Sequence, residues 1–153
     1  MNAQQLYRES GVLGASPVQL VIRLYEKMID DLRRVSDAIE KNDIPLRTDR
    51  IKHTIVILGH LESSLDFEKG GKVARDLEVL YKNLRSRLLH LQFHPSKEGA
   101  SKIITDLLTV RSAWVQVERA ESAPATLGAA ASAASYGSDA ADGSGSSNTG
   151  WQG

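Results

Sequence analysis

The chain has 153 residues, of which 41% are hydrophobic and 25% charged, enough to bury one core and too few for two. Nineteen Lys and Arg balance nineteen Asp and Glu, so no overall field draws the protein to nucleic acid or to an anionic lipid surface. The absence of cysteine excludes disulfides, thiolate metal sites and cysteine nucleophiles.

The opening MNAQQLYRES lacks the apolar run of a signal peptide. The longest aliphatic run, IVIL at 55–58, falls far short of the roughly 20 residues that span a bilayer. A cytoplasmic protein without membrane insertion is expected. Residues 1–15 show no clear period but carry Leu6, Tyr7, Val12 and Leu13. They read as an N-terminal cap segment that lies over an apolar groove and leaves when a ligand arrives.

Ser16-Pro17-Val18-Gln19 is a capping box with proline at the first helical position. Apolar residues at 20, 21, 24, 25, 28, 29, 32, 35 and 39 then keep helical period to about Lys41. KNDIP breaks the pattern, and Asp43 is the next candidate cap. A second helix carries Ile51, Ile55, Leu58, Leu61 and Leu65 to about Phe67, with Gly70-Gly71 as its stop. Val73, Leu77, Leu80, Tyr81, Leu84, Leu88 and Leu91 mark a third, closed by Pro95. A fourth runs from about Ser96 to Ala120 on Ile103, Leu107, Val110, Trp114 and Val117.

No stretch alternates like a strand, and the links are short. The pattern predicts an all-α protein, an antiparallel four-helix bundle over residues 16–120. From Glu121 onward the composition turns to Ala, Ser and Gly, with three acids and no Lys or Arg. Residues 121–153 are expected to be a disordered tail. Its two aromatics, Tyr136 and Trp151, are candidates for a short recognition motif.

At 100° per residue, some apolar side chains fall outside the seam that fills a bundle. Ile22 and Ile29 lie at the margin of the first helix's arc. Val56 and Ile57 stand outside the second helix's arc, beside His53 and His60. Ile104, Leu108 and Val115 form a narrow second stripe on the fourth helix. Any one of them is an ordinary surface or packing residue; together they suggest a groove for a partner. Three side chains contribute about 5–8 kcal/mol gross. Micromolar affinity needs about 8 kcal/mol net, and ordering a disordered ligand costs about 2–5 more. A partner therefore has to touch several stripes by wrapping around the bundle.

Catalytic signatures are missing. His90 and His94 are one turn apart, but LQF between them lacks the glutamate of a zinc protease, and no Glu-x-x-His of a di-iron bundle occurs. Gly71-Lys72 is followed by Val73, and Asp66 stands where a phosphate loop needs its first glycine. No G-x-S-x-G elbow is present. No enzyme activity, metal or cofactor is expected. Arg75, Lys82, Arg85 and Arg87 make the third helix modestly basic, but Asp76 and Glu78 interrupt the patch, as on a solvated face.

Three stretches together resemble the flagellar secretion chaperone family, the FliS proteins. Tyr7 followed by Ala15-Ser16-Pro17, Leu20, Leu24 and Tyr25 resembles the family's Y…ASPxxLxxxLY opening. LESSLDFEKGGKVARDLEVLYKNLRSRL, residues 61–88, is similar to its L-D, G-G, L-x-x-L-Y and R-x-L series, and Trp114 follows near the end of the fourth helix. The link HLQFHPSKEG is longer than the family pattern, and the Ala/Ser/Gly tail has no counterpart in it. The resemblance implies a non-enzymatic helical bundle that binds the disordered C-terminal segment of flagellin, prevents premature polymerisation and assists delivery to the flagellar export gate. It also implies that Tyr7 caps part of the groove in the free state, and it singles out Tyr25. The expected partner-binding set is Tyr7, Ile22, Tyr25, Ile29, Val56, Ile57, Ile104, Leu108 and Val115. A homodimer of the empty bundle is left open. The rival readings are a helical adaptor or regulator for another protein and, third, a nucleic-acid-binding bundle.

Overall fold

The computed structural model describes residues 16–121. Its elements are α1 (Pro17–Lys41), α2 (Ile44–Ser63), α3 (Phe67–Phe93) and α4 (Lys97–Glu121). The expected N-terminal cap segment and the tail from residue 122 lie outside the described residues. Glu121, assigned to the tail by composition, is the last residue of α4.

Local chemistry starts and stops each helix. At the α1 start, Ser16 Oγ accepts from Gln19 N at 3.2 Å while Gln19 Oε1 accepts from Ser16 N at 3.1 Å, a reciprocal box that satisfies two orphan donors. Asn42 ends α1 in the left-handed region at φ 55°, which asparagine tolerates. Asp43 then caps α2 by accepting from Leu46 N at 3.1 Å. Asp66 caps α3 by accepting from Glu68 N and Lys69 N, each at 3.0 Å. Ser96 Oγ accepts from Gly99 N at 3.0 Å at the start of α4.

Two boundaries differ from expectation. α2 stops at Ser63 rather than near Phe67, because Asp66 is committed to capping the next helix. Gly70-Gly71 then sits inside α3, where Gly71 takes φ 52° and ψ −126° and kinks the path. That conformation is open to glycine and strained for any other residue. At the far end, HLQF continues α3 to Phe93, so the link that looked long is only residues 94–96.

The helices alternate in direction around the bundle. Arg111 pairs with Glu26 and Lys97 with Glu40, which sets α4 antiparallel to α1. Asp31 meets Arg50 and His53, setting α2 against α1. Gln92 Nε2 donates to Thr48 Oγ1 at 2.7 Å, and Arg47 Nη2 donates to the Gln92 carbonyl at 3.1 Å, tying α3 to α2. Arg87 reaches Asp106 at 2.6 Å across α3 and α4. α1 packs extensively on both α4 and α2 and α2 packs on α3, whereas α3 and α4 approach each other little.

That unequal packing explains the wide apolar arc of α1. Two neighbours crowd it, and Tyr81 of α3 reaches it across the interior. Val21, Leu24, Met28, Leu32 and Val35 are buried on it together with Ile22, Tyr25 and Ile29. Burying a side chain of this size contributes about 1.5–3 kcal/mol each, which favours burial on several sides over one seam.

One cluster of the interior is polar. Asp31 is fully buried, its Oδ2 2.5 Å from His53 Nδ1 and its Oδ1 accepting from Arg50 Nη1 at 3.0 Å. Thr54 Oγ1 donates to the Arg50 carbonyl at 2.9 Å. Burial pushes the Asp31 carboxyl above its ordinary range, and the hydrogen bond and charge of His53 and the charge of Arg50 oppose that push. The cluster fixes how α2 sits on α1 and explains why His53, unlike a surface histidine, is buried.

Candidate functional site

The expected partner-binding residues separate into three groups. Tyr7 lies outside the described residues. Ile22, Tyr25, Ile29 and Ile57 belong to the core, none more than 7% exposed, so they do not form an open surface in this state. Val56, Ile104 and Val115 are half-buried against that core, and Leu108 is 40% exposed.

Each displacement has a physical reason. Ile22 and Ile29 stand at the margin of α1 on the side of Glu26, and α4 closes over them. Ile57 was expected outside the α2 arc. The Asp31 cluster turns α2 so that His53, Thr54 and Ile57 go inward with Leu58 and Leu61, and Ile55, counted as core from its spacing, is only half-buried. Tyr25 is fully buried, its hydroxyl 2.8 Å from that of Tyr81, with Trp114 as a second hydrogen-bond partner. Desolvation pushes the Tyr25 phenol up to about 12, against the lowering effect of both hydrogen bonds.

What remains open is a seam along the outside of α1 and α4. Ile104, Leu108, Arg111 and Val115 recur at helical spacing and share one side of α4. Arg111 identifies that side, because its Nε donates to Glu26 Oε2 of α1 at 2.9 Å. Lys97, seven residues before Ile104, reaches Glu40 on the same flank. The stripe is therefore an apolar ledge beside α1, floored by Ile22 and Ile29 and crossed by the Arg111–Glu26 pair. Both members of that pair are about a third exposed, so it is screened and is worth on the order of 1 kcal/mol or less.

Val56 belongs to a different seam. It lies on α2, and α2 and α4 flank α1 on opposite sides. A single straight helix cannot cover both, whereas a wrapping segment can.

Spacing alone missed four exposed apolar side chains on α3. Val73 was counted as core and is 41% exposed, because α4 does not close over that edge of α3. Val79, Leu89 and Phe93, exposed by 67, 48 and 76%, face outward from α3. A wheel centred on Leu77, Tyr81, Leu84 and Leu88 leaves these three off the arc, so the signal was present in the sequence. Among the described residues no three His, Cys, Asp or Glu side chains assemble a metal site. No described helix is long and apolar enough to cross a membrane.

Comparison with known proteins finds sequence relatives over most of the chain. The family model for flagellar protein FliS matches residues 1–121. The chain is 31% identical over 111 residues to the flagellar secretion chaperone FliSB of Pseudomonas aeruginosa, covering 72% of this chain and 88% of that protein. It is 30% identical over 114 residues to the flagellar secretion chaperone FliS of Salmonella typhimurium, covering 74% and 84%. It is 31% identical over 106 residues to the FliS chaperone of Campylobacter jejuni, covering 69% and 83%.

Proposed function

The chain belongs to the FliS family of flagellar secretion chaperones, and from that membership we propose that it binds the disordered C-terminal segment of flagellin. The complex forms in the cytoplasm before export. It keeps the segment from polymerising and presents it to the export gate. The observation that supports this reading most directly is the set of part-exposed apolar side chains on separate seams: Ile104, Leu108 and Val115 beside α1, and Val56 on α2.

The physical logic is a helix-in-groove contact coupled to folding of the guest. Segments that polymerise through apolar faces stay monomeric while those faces are covered. One ledge alone is too weak to offset ordering of the guest, so the contact must run around the bundle. Tyr7 serves as the displaceable cap of the groove. Ile22 and Ile29 become reachable where the guest displaces the Arg111–Glu26 pair. Tyr25 and Ile57 act from within, by holding the helices that carry the ledge.

Leu108→Asp tests the reading. It should leave helicity and melting within about 0.5 kcal/mol of the parent, as expected for a surface change. It should weaken a flagellin C-terminal peptide by about tenfold to a hundredfold, from losing the 40% of Leu108 still available and adding a charge. Leu107→Asp, at a buried position one residue away, should instead unfold the bundle. Unchanged peptide affinity in folded Leu108→Asp would show that the guest avoids this seam.

A further inference from the structure

A second concavity lies on the other flank of α4, between the end of α3 and the start of α4, with about 400 Å³ of open volume. Its floor is Leu91 and Ile103, both buried. Its rim carries Arg87, His90, His94 and Lys102 against the single acid Glu98. Asp106 already holds Arg87 at 2.6 Å, whereas Lys102 has no ion pair among the described residues. The two imidazoles stack at 4.5 Å between ring centres, tilted by 16°. A dication here would meet the Lys102 and Arg87 charges with no third ligand to help. Lys102 and the imidazole N–H groups of the stacked pair can instead donate to carboxylates on a stretch that also brings an apolar side chain for the floor.

The chain itself contains such a stretch. Beyond Glu121 its only charged residues are Asp139 and Asp142, and the aromatic Tyr136 precedes them in YGSDAAD. The remaining composition is mostly Ala, Ser and Gly, the kind of sequence that links without imposing a shape.

Length permits the contact. Glu121 ends α4, and the cleft lies near residue 100 of the same helix, about 30 Å back at 1.5 Å per residue. The 15 to 21 residues separating Glu121 from Tyr136 and Asp142 have a contour length of about 50 Å or more, longer than that span. A contact within one chain is favoured over the same contact between separate molecules, because its partners are already joined.

We propose that the cleft between α3 and α4 seats the chain's own Tyr136–Asp142 segment, with the tyrosine over Leu91 and Ile103 and the two aspartates toward Lys102 and the histidine pair. The contact lies on the opposite flank of α4 from the ledge assigned to flagellin, so it does not depend on that assignment.

The lack of native cysteine makes a clean test available. Ser144→Cys in the full chain, carrying a nitroxide label, should broaden the amide signals of His90, His94, Gly99 and Lys102 at least twofold more than those of Val56 or Gly59 on α2. The selectivity should appear at about 50 mM salt and fade at about 0.5 M, as screening of exposed charges requires. It should also disappear in Asp139→Asn/Asp142→Asn, which leaves the bundle sequence untouched. Broadening spread evenly over the helices, or selective broadening that survives the double substitution, would overturn the proposal. So would selective broadening that arises only when labelled chains are mixed with isotope-labelled, cysteine-free ones, because the cleft would then be taking a neighbour's segment.

Discussion

Tyr25 matches the family opening by sequence and is fully buried in the structure, and its titration tests that placement. Replacing Tyr25 by Phe removes the 2.8 Å bond to Tyr81, which costs about 0.5–1.5 kcal/mol net at neutral pH. Alkaline pH should reverse the ranking. Burial raises the folded-state phenol to about 12 from its ordinary 10. A group raised in this way contributes stability that is complete below pH 10 and is lost as pH rises through 12. The full loss is on the order of 3 kcal/mol, and most of it is reached by pH 11.5. Urea unfolding of parent and Tyr25→Phe at pH 8 and 11.5 reads both quantities. The parent should be the more stable at pH 8 by about 1 kcal/mol, and the Phe variant the more stable at pH 11.5 by a similar amount. Stability differences that stay equal across this range would mean an ordinary, solvated phenol and would refute the buried placement of Tyr25.

Asp31→Ala should destabilise the bundle by about 2–4 kcal/mol in urea unfolding, because it leaves His53 without its carboxylate; a loss under about 0.5 kcal/mol would show that the cluster does not hold α2 on α1. Gly71→Ala should cost about 1–3 kcal/mol through its φ of 52° alone, read as a fall in melting temperature; a neutral result would place the kink elsewhere. Arg111→Ala should change stability by less than about 1 kcal/mol, since the pair with Glu26 is screened. It should leave flagellin peptide binding equal or slightly tighter; a tenfold loss would mean that the pair belongs to the bound state.

Much of the fold was legible because its signals are local. Capping at Ser16 and Asp43, the helical period of α1 and the Trp114 arc of α4 each follow from a few neighbouring residues. Boundaries failed where two signals competed. Asp66 took the cap of α3 and shortened α2, while Gly70-Gly71, a stop by composition, became a kink because residues on both sides were helical. Exposure was harder to read, because it depends on which helices close on each other. Ile104, Leu108 and Val115 form their own stripe on the wheel and stay part-exposed in the structure. Ile22, Ile29 and Ile57 looked marginal on a wheel but lie under neighbours that no single-helix pattern reveals. Val73 looked like core for the converse reason, because nothing in the chain announces that α3 and α4 stay apart, whereas Val79, Leu89 and Phe93 were legible as lying off the α3 arc.

Titration calorimetry of the intact chain with a flagellin C-terminal peptide, repeated at several temperatures, goes directly to the central claim. One peptide should bind per bundle, with a heat-capacity change on the order of −0.3 kcal/mol/K if a wrapped segment covers about 1,500 Å². No binding heat at any temperature, or binding with a heat capacity near zero, would contradict an apolar wrapping contact.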